Sequence, residues 1–284
     1  MEPSGIITLL TDFGTREAFV GVMKGVILGI HPALRIVDLT HELEAYDIEG
    51  AGFLLATATP YFPPGTVHVA VVDPSVGSSR RPLVAVGRRA MYVLPDNGLL
   101  SFLHARGEIV SVHLAECADY FLQPVSATFH GRDVFAPVAA HLASGVPPTR
   151  FGPLVTDPVL VTLPAPRWGR DGSLIGTIIY VDRFGNLITN VGGAELAALR
   201  QRPGETECLI SVGRRQIRGL CPNYAALPAG QIGAIVGSSG QLEIFANRGR
   251  ASDRLKVGRG GRIVVRLPAG GRTRRRERIR GPQS

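Results

Sequence analysis

The chain has 284 residues, of which 45% are hydrophobic and 19% charged, a balance that supports sizeable cores and excludes extended disorder. No apolar run approaches the ~20 residues of a membrane span, no basic amino-terminal segment leads into an apolar one, and Cys117, Cys208 and Cys221 lack metal-type spacing, so a soluble, cytoplasmic protein without a zinc site is expected. The net charge of +8 is local: Arg272, Arg274, Arg275, Arg276, Arg278 and Arg280 face Glu277 alone, leaving +3 for the rest, which reads as a solvated tail and argues against a nucleic-acid surface.

In chain order, Ile6–Leu10 reads as a strand, and Glu17–Ile30 as a helix stopped by His31-Pro32. Arg35–Leu39 is a second strand and Ile48–Tyr61 a second helix, followed by strands at Val67–Val72, Leu83–Val86 and Met91–Leu94. Asp133–Leu142 gives one more helix, closed by Gly145 and Pro147-Pro148. Strands alternating with helices predict an α/β/α sandwich over residues 1–165. The Pro- and Gly-rich stretch Leu163–Ser173 reads as a linker. Beyond it, Leu174–Val181, Cys208–Val212, Ile217–Leu220, Ile232–Val236, Leu242–Ala246 and Ile263–Leu267 are short β-rich segments. Their regular spacing predicts a smaller carboxy-terminal β-barrel over 170–270, a sandwich being the alternative, with the basic tail at 271–284.

Ligands of an open α/β sheet bind beyond the carboxyl ends of its strands. Two acids stand there: Asp12 after Ile6–Leu10, and Asp73 after Val67–Val72. The Pro74–Gly77 turn can fold the chain back so that Arg80 or Arg81 approaches Asp73. His130 precedes a helix, where backbone amides and the helix dipole lower a histidine's pKa. Each residue also has an ordinary use, as turn former, helix cap, surface ion pair or structural histidine.

Five strings in order carry a resemblance: Leu10-Thr11-Asp12-Phe13-Gly14, Asp73-Pro74 with Gly77 and Arg80, Asp96-Asn97-Gly98-Leu99-Leu100, Phe129-His130-Gly131-Arg132-Asp133, and Asp182-Arg183-Phe184-Gly185-Asn186. The chain resembles the S-adenosylmethionine hydroxide adenosyltransferases over roughly residues 5–267, a family similar in fold to the fluorinases and chlorinases. The resemblance implies hydrolysis of S-adenosylmethionine to adenosine and methionine without metal or organic cofactor. It implies that Asp73, Arg80 and His130 position and activate water, and that Asp12 holds the ribose hydroxyls. Tyr46 and Phe129 match walls near the sugar and methionine chain. Asp182, Asn186, Ser238 and Glu243, with Phe184 of the fifth string, match positions around the adenine edge and the methionine head group, and Tyr224 falls near an aromatic that stacks on adenine. The chain departs from the pattern twice: Ser75 replaces the glycine common after Asp-Pro, and Ser239 stands where halide-using relatives carry an arginine, leaving backbone amides to hold the carboxylate.

The resemblance further implies a homotrimer with sites shared between subunits and no membrane or nucleic-acid partner. The rival readings are a halide-using enzyme on the same scaffold, which the Asp73, Arg80 and His130 set opposes, and a non-catalytic S-adenosylmethionine or adenosine sensor.

Overall fold

Six strands form the first sheet: β1 (Ile6–Thr11), β2 (Arg35–Thr40), β3 (Thr66–Val71), β4 (Pro82–Gly87), β5 (Ala90–Pro95) and β6 (Ile109–Leu114), in the order β2-β1-β3-β5-β4-β6. The computed structural model that shows this describes residues 1–201 and 207–267, so the basic tail lies outside the described residues. Contacts divide the chain into a first unit, Met1–Leu163, and a second from Pro164 onward.

In the first unit, β1 pairs in parallel with β2 and β3, and β3 with β5, whereas β4 is antiparallel to β5 and β6. β3 and β5 are buried along their whole length, as near-continuous apolar runs of central strands require. Alternation along β1 sends Ile7 and Leu9 to one face, where they pack with Met23 and Ile27 of α1 (Phe19–Ile30) and Val138 of α4 (Ala136–Ala143). Leu10 faces the other side, with Leu55 of α2 (Ile48–Ala58) and Leu103 of α3 (Ser101–Ala105). Because β4 alone runs against its neighbours, the residues entering it, Arg80 and Arg81, reach the same sheet edge as those leaving β1, β3 and β5.

The second unit is an all-antiparallel sheet. Its strands are the short β7 (Arg167–Trp168), then β8 (Leu174–Val181), β9 (Leu187–Gly192), β10 (Leu209–Val212), β11 (Arg215–Arg218), β12 (Ile232–Val236), β13 (Gln241–Ala246) and β14 (Arg262–Arg266). The order is β11-β10-β14-β8-β9-β13-β12, with β7 on β8, and β11 and β12 approach each other to nearly close a barrel. Ile178, Leu187, Val191, Ile210, Leu242, Ile244 and Ile263 fill it. Two short helices, α5 (Gly193–Arg200) and α6 (Ala251–Leu255), complete the unit.

Several expected elements are corrected. α1 begins at Phe19, not Glu17, and its N-cap Ala18 offers no side-chain cap. The helix expected over Ile48–Tyr61 leaves α-geometry after Ala58, ahead of Pro60. Residues 163–173 are not a plain linker, since Trp168 pairs with Leu174 around a turn in which Gly172 takes φ +78°. The strand expected at Ile217–Leu220 lies at Arg215–Arg218, because a two-residue turn with Gly213 at φ +55° sets Val212 opposite Arg215. β6 and β9 were not among the expected strands. No helix among the described residues is long and apolar enough to cross a membrane.

One buried group contributes a pH dependence to the first unit. His68 on β3 is fully buried between Tyr92 and Phe62, with Nδ1 2.7 Å from the Thr8 hydroxyl, and burial pushes its pKa down to about 4. The folded chain therefore takes up this proton less readily than the unfolded chain does. The stability that hangs on a neutral His68 is complete above an ordinary histidine pKa of ~6.5 and falls as pH drops toward about 4. His68→Phe is expected to flatten that decline, read from denaturant melts at pH 7 and 4.5. Equal slopes in both proteins would place the acid sensitivity elsewhere.

Candidate active site

The carboxyl edge of the first sheet gathers the charged residues. Thr11 pairs in register with Val71, so Asp12 lies beside Val72 and one step from Asp73. Asp73 Oδ2 receives two donors from Arg80, Nε at 2.8 Å and Nη2 at 2.5 Å, and the two side chains are 4% and 6% exposed. Arg80 Nη2 also donates to His130 Nδ1 at 2.7 Å. A guanidinium has no acceptor, so Nδ1 must be the acceptor and the neutral imidazole carries its proton on Nε2. Burial, and then the Arg80 charge, hold the His130 pKa below the usual imidazole value. His130 stands directly ahead of a helical turn, as expected from sequence. Arg80 further lies over the Phe135 ring, 5.1 Å from its centre.

Two atoms of this cluster, Asp73 Oδ1 and Arg80 Nη1, are buried without a hydrogen-bond partner among the described residues. Leaving such atoms unmatched costs free energy, so a polar ligand or water is called for beside them. Asp73 and His130 both line a pocket of about 120 Å³ with Phe13, Phe19, Val71, Val76, Thr128, Phe129 and Gly131. Phe13, Phe19 and Phe129 meet edge to face, with ring centres 5.2 to 6.0 Å apart.

Local backbone features hold the cluster. Gly77 takes φ +78°, and a Cβ there would run into the Ala127 carbonyl oxygen, so glycine lets the Asp73 turn press against the His130 loop. Ser75 is not among the residues with positive φ. A glycine is therefore not required at that position, and the departure from the family pattern leaves Arg80 on Asp73. His130 opens a π-helical turn, Gly131–Phe135, continuous with α4. Asp133, fully buried, takes two hydrogen bonds from Arg132 and one from the Ser126 amide. Burial raises its pKa, but those partners outweigh it and hold the carboxyl below its usual value. The loop ahead of His130 is thereby tied to the helix that follows it.

Asp12 Oδ2 accepts the Tyr46 amide at 2.9 Å. Tyr46 sits at φ +69° and is 68% exposed, a strained placement of an aromatic that concentrates at ligand sites. Below it, the Thr11 hydroxyl bonds His41 Nδ1 at 2.9 Å, and Gly14 donates to the His41 carbonyl at 2.7 Å.

The second unit carries its own pocket, of about 630 Å³. Asp182, Phe184, Asn186 and Tyr224 line it. Asp182 accepts both the Asn186 amide N–H and its side-chain Nδ2, at 2.8 and 2.9 Å. Tyr224 donates to Glu243 at 2.7 Å while its ring meets Phe245 edge-on. Burial, and then the neighbouring Glu243, push the tyrosine pKa well up; burial and Asp182 also raise Glu243. Ser238 and Ser239 occupy the exposed turn between β12 and β13 and do not line the pocket. Sequence reasoning missed Phe13, Phe19, Arg248 and Arg250 as lining residues. Phe13 had a signal in its place after Asp12, whereas Arg248, at φ +52° in a loop, had none.

No group of histidine, cysteine and acidic residues with metal-binding geometry occurs among the described residues. Comparison with known proteins bears on the chemistry. The chain is 38% identical over 270 residues to the (R)-S-adenosyl-L-methionine hydrolase of Salinispora tropica, covering 93% of this chain and 99% of that one. It is 38% identical to the enzyme of the same name from Thermus thermophilus, covering 92% and 98%. A fluorinase from an Actinoplanes species is 28% identical, with 67% of this chain and 73% of the relative aligned. A solved structure of an uncharacterized conserved protein from Thermotoga maritima superposes with a TM-score of 0.85 at 34% identity, covering 92% of this chain and 99% of that one. Residues 7–152 match the SAM hydroxide adenosyltransferase N-terminal domain and residues 176–264 its C-terminal domain; the chain belongs to the SAM hydroxide adenosyltransferase family.

Proposed function

We propose that this chain hydrolyses S-adenosyl-L-methionine to adenosine and L-methionine by in-line attack of water on the ribose C5′. The observation that carries the reading is the buried Asp73, Arg80 and His130 cluster, whose Asp73 Oδ1 is unmatched among the described residues at an aromatic-walled pocket, in a chain 38% identical to named hydrolases. A water there can donate to Asp73 Oδ1 and accept from His130 Nε2–H, which leaves a lone pair free to attack. Arg80 fixes both partners through one guanidinium. A carboxylate is far too weak a base to make hydroxide in advance. The water becomes acidic only as the carbon–oxygen bond forms, and Asp73 takes the proton then. The leaving group is a neutral thioether, so neither a proton nor a metal has to reach the sulfur. Positive charge disperses from the sulfonium during attack, and the rings of Phe13, Phe19 and Phe129 favour that in a site poor in water.

Asp12 is assigned to the ribose hydroxyls, which a carboxylate can accept in pairs, and Tyr46 to the sugar wall. Asp182, Phe184, Asn186 and Tyr224, which line the pocket of the second unit, and Glu243, which Tyr224 bonds, are assigned to the adenine and the methionine head group; Ser238 and Ser239 are assigned to the head group from the turn outside that pocket. We further infer a cytoplasmic homotrimer with sites shared between copies of the chain. Supporting it, α1 leaves Phe19, Val22 and Leu28 more than a third exposed beside Gly21, Gly25 and Gly29, whose Cβ positions are open.

Reaction in heavy-oxygen water tests the mechanism. The label is expected in the 5′-hydroxyl of adenosine and not in methionine, with inversion at C5′. Release of adenine would mean glycosidic cleavage, a sulfur-bearing nucleoside would mean attack on the methionine side, and retention would mean a covalent intermediate.

A further inference from the structure

The loop from Asp73 to Arg80 carries two of the three residues assigned to water activation, and both of its ends are held by one dipeptide, Asp96-Asn97. At the entry, Asn97 Nδ2 donates to the Val72 carbonyl at 2.8 Å. A carbonyl only accepts, so the amide nitrogen must face it; the other end of the amide takes the Leu99 N–H at 3.4 Å. At the exit, the Asp96 N–H donates to the Arg81 carbonyl at 2.8 Å, extending the β4–β5 ladder by one bond beyond the Pro82–Pro95 pair. The Asp96 carboxylate, with its side chain 2% exposed, accepts Arg81 Nε at 2.7 Å and lies 2.6 Å from Arg81 Nη2. Its second oxygen accepts the Val159 N–H at 2.7 Å. The buried carboxylate is thus fully engaged, and it is spent on the residue next to Arg80.

We propose that Asp96 and Asn97 act as a clasp, positioning residues that set the spacing of Asp73 and Arg80 and thereby the tautomer and aim of His130. Neither side chain lines the pocket that Asp73 and His130 share, so the clasp acts on them from outside it. The physical need is clear from the loop: residues 74–79 are exposed, and Arg80 must place one nitrogen on Asp73 and on His130 together, at 2.5 and 2.7 Å. An exposed loop free at either end would not hold that geometry. A misplacement near 1 Å at a reacting centre can cost on the order of 10²-fold.

The proposal rests on the assignment of Asp73, Arg80 and His130 to water activation, and the test separates the two. Asn97→Ala removes the entry bond. Asp96→Asn keeps the side-chain shape and an acceptor for Val159 but replaces the charge facing Arg81. Each is expected to lower kcat roughly tenfold or more with KM within about twofold. Asp157→Ala, which cuts only the exposed outer partner of Arg81, is expected to leave kcat unchanged. The second readout needs no turnover: nitrogen NMR of His130 is expected to show a single neutral tautomer protonated at Nε2 in the parent chain and a mixture in both clasp variants. A parent chain that does not hydrolyse S-adenosylmethionine would overturn the functional assignment, and the imidazole signal would still decide the clasp. An active parent with unchanged kcat and unchanged imidazole signal in both variants overturns the clasp alone, as does a rise in KM that accounts for the whole loss.

Discussion

Asp73→Asn is expected to lower turnover by on the order of 10²-fold or more, about 2.7 kcal/mol of transition-state stabilisation, with substrate binding near normal. The asparagine oxygen can still receive Arg80, since Nε and Nη2 both converge on a single oxygen of Asp73. What changes is the other position. Where Oδ1 is an acceptor, the amide presents an N–H₂ donor, so the attacking water meets a group that cannot take its proton and turns its own lone pair toward that donor. Single-turnover hydrolysis read beside calorimetric binding distinguishes this from a binding defect, because a transition-state contact lowers kcat and kcat/KM together. Full activity in the variant would remove Asp73 from the mechanism.

The legible part of the site was the part written in strand ends. Asp12 and Asp73 follow apolar runs, and parallel pairing of β1 and β3 brings such residues to one edge. The approach of Arg80 to Asp73 followed from a short turn. His130 is different: it lies 57 positions after Asp73, and in sequence only the family's ordered motifs link it to the acid, whereas in the structure Arg80 joins them through its 2.7 Å contact with the imidazole. The choice between Arg80 and Arg81 could not be made from sequence, because it depends on β4 running against its neighbours and alternating its two arginines between Asp73 and Asp96. The edge strand β6 escaped because Ser111 and His113 interrupt its apolar pattern, and its place is set by pairing with β4 rather than by propensity. Of the second unit, Asp182 and Asn186 are marked in sequence only by the fifth motif of the family, and the structure adds the hydrogen bonds between them. Arg248 enters its pocket through a left-handed backbone position with no marking residue type.

Arg80→Met is expected to abolish measurable turnover and to destabilise the first unit by about 3–5 kcal/mol, the usual cost of leaving one member of a buried ion pair without the other. The methionine fills much of the space over Phe135 but leaves the Asp73 carboxylate, 4% exposed, with no counter-charge. Pairing the change with Asp73→Leu separates folding from chemistry: the double variant removes both charges and is expected to regain most of the lost stability while staying inactive, a non-additivity that thermal melts of the four proteins measure. Arg80 also acts on His130. Burial is the larger cause of the lowered imidazole pKa and the arginine charge the second, while Asp73 and Asp133 pull it upward. Removing Arg80 alone therefore moves the His130 titration up, and the imidazole gains a proton at a pH where the parent chain holds it neutral with Nδ1 as acceptor. An NMR titration of His130 in Arg80→Met that stays at the parent position, together with an unchanged melting temperature, would mean that the guanidinium neither balances Asp73 nor sets the state of the imidazole.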